Sequence, residues 1–246
     1  MQVEAEKRFS NGLSFLVGYT LSHMMDNTDS AFGTFTATVI NKYNQKPEWT
    51  VSDNDEPQTL KASGTYELPI GPGKKYLNNR TVGNIAGGWQ VGWILDYESG
   101  SAFGVTENGT PYPNAGNRPN RNTGVTLGTA SYKRARDYFV GKATSAQIFD
   151  PAAFSTTTTY VLGNAKRIYG ELRNPPTALE NLNVQKHFQF SERFKATLQM
   201  DYFNAFNRTR FEGPDTNASD STFGYVTNAN SQISNRQGQV SFHLEF

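Results

Sequence analysis

The chain closes on QVSFHLEF, where Val240, Phe242, Leu244 and Phe246 alternate with Gln239, Ser241, His243 and Glu245. Alternation with period two predicts a β-strand with one apolar and one polar face. Six earlier segments carry the same pattern. From Gln2 to Phe9, Val3, Ala5 and Phe9 oppose Glu4, Glu6 and Arg8, and Lys7 interrupts the apolar side. The hairpin signal SNG follows at Ser10 to Gly12. Leu13, Phe15, Val17, Tyr19 and Leu21 then share a face. Between Pro57 and Ile70, Leu60, Ala62, Gly64, Tyr66 and Leu68 oppose Thr59, Lys61, Ser63, Thr65 and Glu67. Trp89, Val91, Trp93, Leu95 and Tyr97 oppose Gln90, Gly92, Asp96 and Glu98. Leu182, Val184, Phe188 and Phe190 form a fifth apolar face, with Lys186 as its exception. Phe194, Ala196, Leu198, Met200 and Tyr202 form a sixth, against Lys195, Thr197, Gln199 and Asp201.

Half-buried strands of a soluble sandwich alternate in the same way. Two features favour a membrane wall instead. Several segments run to roughly 11–14 residues, against about five or six in ordinary sheets and about 9–11 for a tilted strand crossing a bilayer. The links also alternate strictly. Those after the first, third and fifth segments are short; those after the second, fourth and sixth are long and polar, about Asp26 to Glu56, Ser99 to Ala178 and Asn207 to Asn235. Outer-membrane barrels combine short periplasmic turns with long extracellular loops. In that arrangement the last strand runs inward and ends at the periplasmic interface. The fold class expected is all-β, an antiparallel transmembrane β-barrel segment of about seven long strands.

Composition agrees. Among 246 residues, 36% are hydrophobic and 13% aromatic, with 12 Tyr and 17 Phe. Low average hydrophobicity with many aromatics suits a wall in which alternate residues face lipid and aromatics ring both interfaces. The net charge of +1 gives no sign of nucleic acid as a partner. Without cysteine there is no disulfide framework, thiolate metal site or thiol nucleophile. No apolar run approaches the roughly 18 residues of a membrane helix. The opening MQVEAEKRF carries charge where a signal peptide needs an apolar stretch. Seven strands are an odd number, whereas single-chain bacterial barrels have even counts, and an open sheet leaves two unpaired edges. The expectation is that further strands precede Met1, making residues 1–246 the C-terminal portion of a larger barrel without plug or signal peptide. A strand hidden near Gly124 to Val140 or Thr156 to Gly163 is the alternative, though it would spoil the alternation of sides.

Several stretches, in order along nearly the whole chain, carry a family resemblance: VEAEKRFSNGLSFLVGYTLS, DNDEPQTLKASGTYELPIGPGKKYL, GGWQVGWILDYESGSAF, GNRPN, FDPAAF, FKATLQMDYFNAFNRTRF and RQGQVSFHLEF. Together they resemble the C-terminal barrel of TonB-dependent receptors, more narrowly the Oar-like, carboxypeptidase-regulatory-like domain-containing type found in Acidobacteria. The resemblance implies a 22-stranded barrel in the bacterial outer membrane, plugged by an N-terminal domain and energised through TonB for uptake of a substrate the sequence does not identify. It implies no enzyme and no cofactor. The partners implied are outer-membrane lipid and lipopolysaccharide, the barrel assembly machinery, and the TonB complex through a plug that these residues do not contain. Val240, Phe242, Leu244 and Phe246 resemble the C-terminal signal that the assembly machinery reads. A passive porin-like or adhesin-type barrel presenting extracellular loops is the competing function.

Sites of chemistry are sparse. His23, His187 and His243 lack metal-ligand spacing, and the last two are expected to be polar lumen residues. GPGKK at Gly71 to Lys75 lacks the P-loop pattern, since Leu68 and Lys75 stand where Gly and Ser/Thr are needed; a tight turn accounts for it. SDNDE at Ser52 to Glu56 offers oxygen ligands but lacks the EF-hand spacing. Tyr132 to Lys142, YKRARDYFVGK, is basic and aromatic and is expected to be a solvated loop face, with anionic lipopolysaccharide or an anionic substrate as the alternative reading. Lys186, turned outward by the register, is expected to snorkel to an interface.

Overall fold

The computed structural model describes residues 1–28, 39–41, 43–78, 83, 85–109, 117–127, 132–158, 160–191, 193–228 and 235–246. Each of the seven alternating segments is a strand: β1 (Gln2–Ser10), β2 (Leu13–Leu21), β3 (Gln58–Glu67), β4 (Trp89–Glu98), β5 (Thr177–Gln189), β6 (Lys195–Phe203) and β7 (Gln237–Glu245). They form one antiparallel meander in which every strand pairs with its neighbours in sequence. Six of the seven are 9 or 10 residues long, enough to cross a bilayer when tilted. Among the described residues the outer edges of β1 and β7 have no strand partner, so the sheet is open.

Local chemistry sets the strand ends. Asn11 and Gly12 both have positive φ, 54° and 80°, the pairing that a two-residue hairpin of the favoured twist requires. β3 stops at Glu67, short of the expected Ile70, because Pro69 has no N–H to give the ladder. The chain then turns through Gly71 and Gly73, both at positive φ. Gly71 N donates to Tyr76 O at 2.9 Å and Tyr76 N to Pro69 O at 2.9 Å, closing the tight turn expected of GPGKK. β5 begins at Thr177, earlier than its apolar run, and pairs with β4 from Thr177↔Glu98 to Lys186↔Trp89.

The hydrophobic core lies outside the sheet. The three long links leave the same end, and the second and third together enclose Phe103, Phe149, Phe154, Tyr169, Leu172 and Phe223 with smaller residues. Phe149 is the hub: its ring packs edge-on to Phe154 at 6.3 Å and to Phe223 at 5.2 Å, and tilted to Phe103 at 6.1 Å. Offset and edge-to-face pairs of this kind add to the area they bury. Short strand pairs frame the cluster, Met25–Asp26 with Thr50–Val51, Ala102–Phe103 with Tyr169–Arg173, and Asn120–Arg121 with Phe154–Ser155. A helix, α1 (Tyr132–Phe139), closes one side and buries Ala135. The long links therefore form a folded cap.

Candidate functional site

The strand registers align the apolar positions into continuous rows. Phe15, Gly64, Trp93, Leu182, Tyr202 and Gly238 lie opposite one another in succession. The neighbouring rows contain Val17, Ala62 and Leu95, and Tyr66, Val91, Val184, Met200 and Val240. Trp93 lies flat across Gly64: a Cβ there would sit 2.4 Å from Trp93 Cζ2. Asp96 is on the opposite face, bonded to Lys61 at 3.3 Å. One face of the sheet is thus apolar from β1 to β7.

Three charged residues stand on that face. Lys7, opposite Phe15, donates from its amine to Ser10 Oγ at 2.7 Å. Lys186 is buried, and its amine donates to the carbonyls of Ile85, at 2.9 Å, and Gly87 in the short link. The same amine lies 5.5 Å from the Trp89 ring and 5.1 Å from the Phe188 ring. It reaches the strand end, as expected, but is satisfied by carbonyls instead of open solvent. Glu180 falls opposite Leu95 and is fully buried. Its Oε1 accepts from Tyr97 Oη at 3.0 Å and Arg208 Nε at 2.6 Å. Arg208 is brought there by the turn after β6, where Asn204 and Asn207 have positive φ and Asn204 Oδ1 accepts from Arg208 N at 2.8 Å.

The other face is polar and internally bonded. Lys61 bridges Asp96 and Glu98. Asn183 Nδ2 donates to Asp201 Oδ1 at 2.5 Å, and Gln199 Nε2 donates to both Asp201 oxygens. His187 lies in this network, Nδ1 3.1 Å from Thr197 Oγ1 and Nε2 3.3 Å from Gln90 Oε1. His243 sits on the same face, opposite Thr197. One row departs from this polarity. Leu16, Ser63, Ile94 and Asn181 are successive register partners, and Phe203 continues the row next to Asn181; Leu16, Ile94 and Phe203 are all exposed.

Within the cap, arginines from the second long link staple it to the first. Arg118 pairs with Glu48, Arg167 with Asp26, and Arg173 with Asp55 at 2.8 Å. Asp55 also accepts from Met24 N at 2.6 Å and lies 3.6 Å from His23 Nδ1. The acidic run Ser52 to Glu56 thereby has a structural occupation, with Ser52 and Asp55 buried. Among the described residues no group of three His, Asp or Glu side chains converges as metal ligands. Tyr132 to Lys142 is largely exposed, as expected of a solvated face, but it is not a loop. Most of it is α1, folded because Ala135 and Tyr132 pack on the cap core. Tyr132 Oη donates to Arg173 O at 2.9 Å, and burial pushes its phenol well above the ordinary tyrosine range. On the outer side Lys133 binds Asp137 at 2.5 Å and holds that carboxyl below its usual value.

The residues singled out at the C-terminus are separated by their positions. Val240, Phe242 and Leu244 lie on the apolar face of β7, opposite Met200, Leu198 and Ala196, and are exposed at the open edge. Phe246 follows the strand and is 97% exposed. Sequence pattern alone missed the arginine staples and the Glu180–Arg208 pair, whose partners are far apart in sequence.

A sheet of bilayer-spanning strands with one apolar and one polar face, its links alternately short and long, is the wall of a transmembrane β-barrel. The profile of the outer membrane beta barrel domain family matches residues 1–239, and the chain belongs to that family. Its place is the outer membrane of a bacterial cell. No curated protein and no solved structure matches the chain.

Proposed function

We infer that this chain is a wall sector of a TonB-dependent receptor of the Oar-like type, taking part in energised uptake across the outer membrane. The observation that carries the reading is the direction of the two sheet edges. In a seven-stranded meander β1 and β7 run the same way, so joining them to each other would make a parallel seam. Closure as an antiparallel barrel needs an odd number of further strands. In lipid each unpaired edge group costs several kcal/mol, so those strands are obligatory. The ordered resemblance along the chain supplies their number, a barrel of about 22 strands, the size at which the lumen is plugged. The cored and stapled cap supports a gated receptor over a passive pore, whose mouth stays open.

The test is the species present in native outer membranes. Antibody against the cap is expected to recover a heat-modifiable protein much heavier than 27.3 kDa. It is expected to carry peptides of a plug and to cross-link to TonB. A heat-modifiable species of 27.3 kDa that conducts ions in planar bilayers would overturn the reading in favour of a passive barrel.

A further inference from the structure

We propose that Arg208 and Arg236, at the outer rim of the wall, bind a phosphate of lipid A, the acylated glucosamine anchor of lipopolysaccharide. The proposal needs only an outer-membrane wall with its long links outside, and it stands whether or not uptake is energised through TonB. Both arginines belong to the long-link end of the apolar face. Arg208 is held there by Glu180, which accepts from its Nε at 2.6 Å. Arg236 immediately precedes β7, is exposed, and has the parity of Val240, Phe242 and Leu244. One turn fixes both backbones. Asn204 accepts from Arg208 N at 2.8 Å and donates to Arg208 O at 2.9 Å, while Asn207 Oδ1 accepts from Arg236 N at 3.1 Å. Arg208 gives Glu180 one of its five N–H donors. Its Nη atoms and the Arg236 guanidinium make no bond among the described residues. Glu180 is the only carboxylate paired with either, again among the described residues, so two arginines against one acid leave net positive charge. Guanidinium forks match phosphate oxygens. The surroundings select a lipid phosphate over a soluble one. Phe206, 63% exposed, lies 6.0 Å from the Arg208 guanidinium, and Tyr202, 42% exposed, stands on the lipid-facing side of β6. Exposed aromatics of this kind mark the bilayer interface. On the outer side of an outer membrane, the phosphate at that depth is carried by lipid A.

The experiment takes the full protein, purified from outer membranes and stripped of lipid in detergent, and titrates it with bisphosphorylated lipid A by native mass spectrometry. Phosphatidylglycerol serves as the anionic comparison. Lipid A is expected to bind more tightly than phosphatidylglycerol. Arg236→Gln is expected to weaken lipid A binding about fivefold, the effect of one arginine at an anionic surface. Arg208→Met combined with Glu180→Leu removes the Nη donors without changing net charge or stranding a carboxylate. It is expected to weaken binding by about tenfold, the loss of a charge-assisted hydrogen bond. Lys142→Gln, which removes an exposed charge elsewhere in the cap, is expected to change nothing. Each variant is first checked for heat-modifiable mobility. Equal lipid A affinity in wild type and both arginine variants, phosphatidylglycerol bound as tightly as lipid A, or an equal loss in Lys142→Gln would overturn the proposal. Labelling of Lys142→Cys on intact cells with an impermeant maleimide checks the orientation of the wall. Absence of labelling would overturn that orientation and the site with it. Labelling without preference for lipid A would overturn the site alone.

Discussion

Lys186 and Glu180 occupy positions where lipid-facing residues stand on either side, and each is held by a partner that folds back over the strand end. Lys186 was legible as an exception to its strand's alternation. Glu180 was not, because the apolar run begins at Leu182 and Arg208 is 28 residues away. The Glu180 pair yields a stability prediction. Removing one member of a buried ion pair leaves an uncompensated charge, a loss of about 3–5 kcal/mol when both are buried. The Arg208 side chain is 51% exposed, so solvent screening reduces the loss to about 2 kcal/mol for Arg208→Met. Adding Glu180→Leu removes the stranded carboxylate, and the double variant should recover most of the loss. Urea unfolding in lipid vesicles measures both, and purely additive losses would contradict the pairing. Tyr132 provides a second measurement. Its phenol stays protonated in the folded cap after an exposed tyrosine has ionised, so above pH of about 10 the unfolded chain holds fewer protons. The stabilisation is complete below that value and declines as pH rises through it. A spectrophotometric titration of Tyr132→Phe should lack one phenol that ionises above the others. If the missing phenol titrates with the exposed ones, burial of Tyr132 is excluded.

At the level of elements, the strands and the cap differ in how openly the sequence displays them. A wall between lipid and lumen imposes alternation residue by residue, so all seven strands appear in the local pattern. The cap imposes nothing local. Phe103, Phe149, Phe154 and Phe223 come from separate stretches without periodicity, and the staples join residues such as Arg118 to Glu48 and Arg173 to Asp55, 70 and 118 positions apart. The links therefore look like solvated loops until their contacts are known. Two stretches that carried the family resemblance now have a physical role. In GNRPN, Arg118 holds Glu48 and Pro119 O accepts from Ala165 N at 3.1 Å. In FDPAAF, Asp150 caps a single turn by accepting from Ala152 N at 2.9 Å, which places Phe149 and Phe154 in the core. Truncating the hub is expected to open the cap without opening the sheet. Phe149→Ala removes a buried ring worth about 3–5 kcal/mol, and its contacts lie wholly within the links. Trypsin applied to intact cells should then cleave within residues 99–176 while heat-modifiable mobility persists. Unchanged cleavage, or loss of both properties together, would show that the cap and sheet are not separate units.

For the whole molecule, the questions are how the sheet closes and how it is delivered. β7 presents Val240, Phe242 and Leu244 at an open edge, and that edge needs an antiparallel neighbour in the membrane. Phe246, just past the strand, has almost no contact to lose. Those two facts separate stability from recognition. Charge on a lipid face costs about 2–4 kcal/mol at the bilayer midplane but about 0–1 kcal/mol near an interface, and a residue beyond the strand end belongs to the interface. Phe246→Asp should therefore hardly change the unfolding free energy of protein that has inserted. If the closing strand with its terminal aromatic is the signal for assembly, the same substitution should sharply reduce the heat-modifiable barrel recovered from outer-membrane fractions. Deletion of Phe246 should act likewise, and Phe246→Tyr, which keeps an aromatic ring, should insert normally. Equal recovery of wild type, Phe246→Asp and the deletion would remove the signal and leave an ordinary interfacial aromatic. Reduced recovery matched by an equal loss of stability in the inserted fraction would instead place Phe246 in the wall itself, packed on a strand beyond the seven seen here.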